Sequence, residues 1–174
     1  MIQQKTGSTT IRMLNDGPKK FRVSSKVTRF SDNEKHSNFG CAGKDIFNLN
    51  CIVFPVNMGQ MHWTCAVAFM QEKRIQFYDS MGDDGMHYVE GIFQYIKDEH
   101  QAKHGAPLPD PDSWRLVACT RDTPRQLNGY DCGVFLCMFA DFLSKGCPLL
   151  FDQTMITQCR ERIALAIMKG QAIM

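Results

Sequence analysis

The chain has 174 residues, 44% hydrophobic and 22% charged, ordinary globular proportions that exclude disordered, collagenous and low-complexity classes and fit one domain. Net charge is +2, from 20 basic and 18 acidic residues, too balanced to imply a nucleic-acid partner. The longest apolar run, Val134 to Ala140, has 7 residues, far short of the roughly 20 that cross a bilayer. The first 20 residues lack an apolar signal core, so a soluble, intracellular chain with no membrane partner is expected.

Residues 1–50 are weakly patterned and rich in Gly, Ser, Thr, Asn and Lys. The first 35 residues hold eight Lys or Arg against three acidic residues. That basic excess reads either as a solvated tail or as a contact surface for an acidic partner. Residues 1–44 are taken as a lead-in and 45–174 as the folded core. Cys51 to Phe54 is a short apolar strand that Pro55 is expected to stop. His62 to Phe69 and Arg74 to Tyr78 make two further strands, joined as a hairpin through the polar turn Gln71-Glu72-Lys73. Met86, Val89, Ile92, Phe93 and Ile96 recur at helical spacing, which predicts a helix over 86–104, ended by Gly105 and Pro107. Trp114 to Cys119 reads as a strand, followed by a polar loop over 120–131. Cys132 to Ser144 is apolar on nearly every face, the mark of a helix buried inside a domain. Asp152 caps a final helix over about 153–169. The fold class is α+β: a small antiparallel sheet packed with helices.

Eight cysteines are present, at 41, 51, 65, 119, 132, 137, 147 and 159. Without a secretory context most are expected to be small buried hydrophobes. No Cys-x-x-Cys pair occurs, and His100 and His104 share a helical face with no third ligand close in sequence, so no metal and no cofactor is expected. Four residues form a constellation that can carry chemistry: His62 opening a strand, Asp79 ending the next, Gln126 in a loop, and Cys132 opening the buried helix. A hairpin centred near Gln71 and Glu72 sets Asp79 across from Thr64, with His62 as the diagonal neighbour on the same face. A slip of one residue would put the two on opposite faces. A helix start favours an anion, and with it a thiolate at Cys132. The Cys132 N–H and the Gln126 amide could supply donors to an oxyanion. A phosphatase reading of Cys132 fails, because the position six residues on, where an Arg would hold phosphate, is Met138.

The run Gln126-Leu127-Asn128-Gly129-Tyr130-Asp131-Cys132-Gly133-Val134-Phe135 resembles the cysteine motif of the Ulp/SENP family of SUMO-specific proteases. His62-Trp63, preceded by Val53-Phe54-Pro55-Val56-Asn57, is similar to its histidine motif, and Phe77-Tyr78-Asp79-Ser80-Met81-Gly82 to its aspartate motif. Order and intervals agree over about residues 45–170. The resemblance implies an adenovirus-protease-like cysteine protease fold. It implies cleavage after the C-terminal Gly-Gly of SUMO, in conjugates or precursors. Cys132 would be the nucleophile, His62 the general base and acid, Asp79 its orienting carboxylate and Gln126 an oxyanion donor. Trp63, Asn128 and Gly129 would bind substrate, with Trp63 covering a tunnel thin enough for glycine alone. Partners would be SUMO and SUMO-conjugated proteins; a monomer is expected, in the nucleus or at the nuclear envelope. One departure stands out. The family's second tunnel tryptophan lies in an N-terminal Trp-Leu-Asn-Asp motif followed by a helix, whereas here Met13-Leu14-Asn15-Asp16 is followed by Gly17-Pro18. Two alternatives stay open: a catalytically weak or inactive SUMO-binding relative, and a protease for another ubiquitin-like modifier.

Overall fold

The computed structural model describes residues 9–15, 22–30 and 45–170. In chain order these form β1 (Thr9–Asn15), β2 (Arg22–Phe30), β3 (Cys51–Met58), β4 (His62–Phe69), β5 (Arg74–Tyr78), α1 (Met86–His104), β6 (Arg115–Val117), α2 (Cys132–Ser144) and α3 (Ile156–Lys169). The strands make one sheet in the order β2-β1-β3-β4-β5-β6. The class is α+β as expected, but the sheet is mixed rather than antiparallel. β3, β4 and β5 pair antiparallel, while β1 lies parallel to β3 and β6 parallel to β5. The β5–β6 connection carries α1 across the sheet, and such a crossover returns the chain in the same direction. β1 and β2 fall within the expected lead-in and extend the sheet edge. Met13, Leu14 and Asn15 close β1, Asp16 to Pro18 lie outside the described residues, and the next described element is a strand.

Pro55 does not stop β3. It pairs with Cys65 of β4 inside an eight-residue strand. The β1–β3 register passes from Ile11↔Val53 to Leu14↔Val56, so the ladder is interrupted where proline has no N–H to give. Helices α1 and α2 match their expected bounds. The last helix begins as a 3-10 turn, Gln153–Met155, whose Thr154 N–H donates to Asp152. β6 is shorter than expected because Cys119 leaves the ladder to donate its N–H to Asp84.

Residues of β3, β4 and β5 are buried on both faces, which explains their near-continuous apolar runs. On one face Ile52, Phe54, Val56, Ala66, Ala68, Ile75 and Phe77 pack against Tyr88, Val89, Ile92 and Ile96 of α1. On the other, Val53, Cys65, Val67 and Tyr78 pack against Val134, Phe135, Met138 and Phe139 of α2, with Ile156 and Cys159 of α3 behind. Trp114 joins the first cluster, its ring 5.7 Å from Phe93. Burial pushes the thiols of Cys65, Cys137 and Cys159 up, as expected of cysteines used as small hydrophobes. Cys147 departs from that expectation: it is exposed, in the loop after α2.

Candidate active site

The β3–β4 turn is the first positioning device. Gly59 and Gln60 both take left-handed backbone angles, with φ of 56° and 60°, a pattern that fits tight hairpins. The turn brings Met58 opposite His62, and His62 opens β4. In the next hairpin Cys65 pairs with Tyr78 and Ala66 with Phe77, the register expected from the sequence, with no slip. Asp79 follows β5 directly and is fully buried.

Every oxygen of the Asp79 carboxylate is engaged. Oδ1 lies 2.6 Å from His62 Nε2 and also accepts from the Met81 N–H at 2.8 Å. Oδ2 accepts from the Asp83 N–H at 2.8 Å. Backbone donors hold the carboxylate in place, and the carboxylate fixes the ring: Nε2–H donates to Asp79, which leaves Nδ1 as the basic nitrogen. The turn is fastened from behind as well. Cys119 Sγ accepts from the Asp79 N–H at 3.4 Å, and Arg125 donates to the Asp79 carbonyl at 3.1 Å. Gly82 sits at φ 99°, a backbone angle that side-chain-bearing residues rarely adopt, and the Arg125 guanidinium occupies the space beside it.

Cys132 is the first residue of α2 and is 7% exposed. Asp131, the N-cap residue, does not turn its side chain back onto the helix. Its carboxylate instead accepts from Asn128 Nδ2 at 2.6 Å and Gln153 Nε2 at 2.8 Å, and pairs with Arg160 of α3. The first-turn N–H groups of Cys132 and Gly133 are thus not consumed by the cap, and they keep the positive end of the helix dipole. Burial works against ionisation of Asp131, but the hydrogen bonds from Asn128, Arg160 and Gln153 outweigh it and hold the carboxyl below its usual value.

A lowered folded-state pKa means that Asp131 contributes stability that is present above the unfolded value of 3.8 and lost as pH falls through the folded value. Asp131→Asn is expected to be less stable than the parent at neutral pH. The gap should narrow only below pH 3.8, as pH falls toward the lower folded value. Urea unfolding midpoints followed from pH 7 to pH 3 check this; a constant gap would show that the charge of Asp131 is irrelevant to stability.

Gln126 is buried, with both ends of its amide used. Its Oε1 accepts from the Ser80 hydroxyl at 2.6 Å and its Nε2 donates to the Asn128 carbonyl at 2.5 Å. One N–H of the amide remains. Trp63 is half-buried beside His62 and pairs across the sheet with Asn57. Asn128, expected to meet substrate, spends its side chain inside its own loop: Oδ1 accepts from the Tyr130 and Asp131 N–H groups, each at 3.1 Å. Gly129 is exposed, and a Cβ there would meet nothing within 4 Å. Ser80, Cys119, Arg125, Asp131, Gln153 and Arg160 were not singled out from the sequence. Ser80 and Asp131 adjoin motif residues and could have been; Gln153 and Arg160 carry no local signal. Among the described residues no group of three His, Cys, Asp or Glu could hold a metal, and no helix is long and apolar enough to cross a membrane.

Residues 8–171 match the family model described as the Ulp1 protease family, C-terminal catalytic domain. Sentrin-specific protease of Caenorhabditis elegans is 36% identical over 129 residues, 74% of this chain and 18% of that protein. Ubiquitin-like-specific protease ESD4 of Arabidopsis thaliana is 32% identical over 130 residues, 75% of this chain and 26% of that protein. Among solved structures, the C-terminal Ulp1 protease domain in complex with Smt3, the yeast ortholog of SUMO, superposes with a TM-score of 0.60 at 27% identity, covering 72% of this chain and 55% of that one. The SUMO protease Ulp1 with its catalytic cysteine oxidized to a sulfonic acid gives 0.61 at 30% identity, over 73% and 56%. The chain spans about a quarter of the length of these curated relatives, or less.

Proposed function

The chain belongs to the Ulp1 protease family as a C-terminal catalytic domain, and from that premise we propose that it is a thiol peptidase and isopeptidase that cuts after the C-terminal Gly-Gly of SUMO. The observation that carries the reading is the 2.6 Å bond between His62 Nε2 and Oδ1 of the buried Asp79, in a chain whose Cys132 opens a buried helix. His62 Nδ1 takes the Cys132 proton, and the thiolate attacks the carbonyl carbon of the terminal glycine. The oxyanion is met by the Cys132 N–H and the remaining Gln126 N–H; one such donor is worth about 2.7–4 kcal/mol in the transition state. Imidazolium returns the proton to the departing lysine amine. Water, deprotonated by His62, then cleaves the thioester and releases the modifier carboxylate.

Residues 45–174 carry this machinery in our reading, and β1 and β2 of the preceding segment extend its sheet. The proposed partners are SUMO and its conjugates, bound by a monomer, inside the cell at the nucleus or its envelope. The test is a panel of ubiquitin-like modifiers, each bearing a C-terminal electrophile. SUMO should label Cys132 quickly and stoichiometrically. Preferential labelling by another modifier would replace the substrate, and no labelling by any would leave a binding relative.

Trp63 is proposed as the lid over the glycine tail. A lid aromatic is half-open before substrate arrives, and Trp63 is half-buried. Trp63→Ala is expected to lower kcat/KM on a SUMO precursor by roughly a hundredfold through loss of positioning. The accompanying loss of unfolding free energy should stay below the 3–5 kcal/mol or so of a core tryptophan. Urea unfolding beside precursor cleavage separates the two roles; a core-sized stability loss would reassign Trp63 to packing.

A further inference from the structure

Ser80 belongs to no part of the chemistry described so far, yet it is 1% exposed and sits between two of its components. It follows Asp79 in the turn that closes β5. Its carbonyl accepts from the Gln126 backbone N–H at 3.0 Å, and its hydroxyl donates to Gln126 Oε1 at 2.6 Å. The two residues, 46 positions apart, are joined through backbone and side chain at once. Gln126 Nε2 then faces the Asn128 carbonyl, in the loop that leads to Cys132.

We propose that Ser80 is a positioning residue for the oxyanion donor: its hydroxyl fixes the Gln126 amide with oxygen toward the aspartate turn and NH2 toward the Cys132 loop. A planar amide held at its oxygen has its nitrogen placed too. Donation into the carbonyl oxygen also polarises the amide and strengthens the N–H on its other side. Without the hydroxyl, Oε1 would be a buried acceptor with no donor, and the amide would rotate to find one. The turn that holds Asp79 and the loop that holds Gln126 are fixed to each other by the same contact. Base and oxyanion donor therefore keep one geometry.

The inference rests on the reading of Gln126 as an oxyanion donor, and the test separates the two. The variants are Ser80→Ala, Gln126→Ala and the double variant, assayed on a SUMO precursor. A parallel assay follows alkylation of Cys132 by iodoacetamide, which forms no oxyanion and reports the Cys132–His62–Asp79 side alone. Ser80→Ala is expected to lower kcat about tenfold, with KM within twofold and the alkylation rate unchanged. On the Gln126→Ala background it should cost nothing further, because it acts through that amide. Slower alkylation, or a full tenfold loss on the Gln126→Ala background, would overturn the proposal. So would an unchanged kcat in Ser80→Ala while Gln126→Ala is impaired. If Gln126→Ala itself keeps full activity, the oxyanion reading falls and this inference with it. Should Ser80→Ala fail to fold, Ser80→Cys keeps the volume with a weaker donor, and the same cycle applies; it should lose less than tenfold, through kcat alone.

Discussion

Cys132→Ser is expected to abolish turnover, by roughly ten-thousandfold or more, while the urea unfolding midpoint and SUMO binding stay at parent values. The substitution exchanges one atom at the first position of α2, where the side chain is only 7% exposed, so packing is kept. The chemistry is not. A hydroxyl in the same place is a far weaker nucleophile than the sulfur it replaces. Loss of the nucleophile in a concerted site removes most of what the other groups contribute, so the effect approaches that of removing the whole site. Precursor cleavage under single-turnover conditions, beside binding by calorimetry, checks it. Residual turnover within a hundredfold of the parent would displace Cys132 from the nucleophile's role. The exposed Cys147 is the control: Cys147→Ser should leave both measurements unchanged.

The second large effect belongs to Asp79→Asn, and the hydrogen bonds say why an isosteric change fails. Both carboxylate oxygens already accept from backbone N–H groups, Oδ1 from Met81 and Oδ2 from Asp83. An amide nitrogen put in either place meets a donor. At the Oδ2 position it confronts the Asp83 N–H. At the Oδ1 position it confronts Met81 and forces His62 Nε2 to become the acceptor, which moves the ring proton to Nδ1 and leaves no base for the thiol. The expected fall in kcat is between about a hundredfold and ten-thousandfold, with KM little changed. A stability loss of about 1–3 kcal/mol should accompany it, from the orphaned donor. Steady-state kinetics together with urea unfolding read both. Unchanged kcat would reduce Asp79 to a turn residue.

What could be read ahead of the structure was whatever has a period or a motif. α1 and α2 fell at their expected bounds because apolar spacing and the glycines that end α1 are local signals. The register that puts His62 and Asp79 on one face followed from the position of a single turn. The parallel strands β1 and β6 were not legible as such, since strand order is a non-local property that no window of sequence contains. Pro55 was misjudged for the same reason: whether proline ends a strand depends on what the neighbouring strand needs from it. Asn128 was legible as part of the cysteine motif, but the bonds its side chain makes within its own loop were not. The polar fastenings were the least visible. Ser80 is a small residue inside a turn, and Arg160 lies in a helix whose sequence shows only a buried side and a wet side.

That arginine has a consequence for how the protein is made. Asp131, the residue before Cys132, is matched by a cation 29 positions later in the chain, carried by α3. A ribosome delivers the histidine, the aspartate and the cysteine in turn, and only afterwards the helix that neutralises the carboxylate beside that cysteine. Until α3 docks, Asp131 lacks that cation, and in the loop leading to Cys132 its carboxylate has the Asn128 amide as its local partner. The loop before Cys132 therefore gains its full set of side-chain bonds only once α3 has docked.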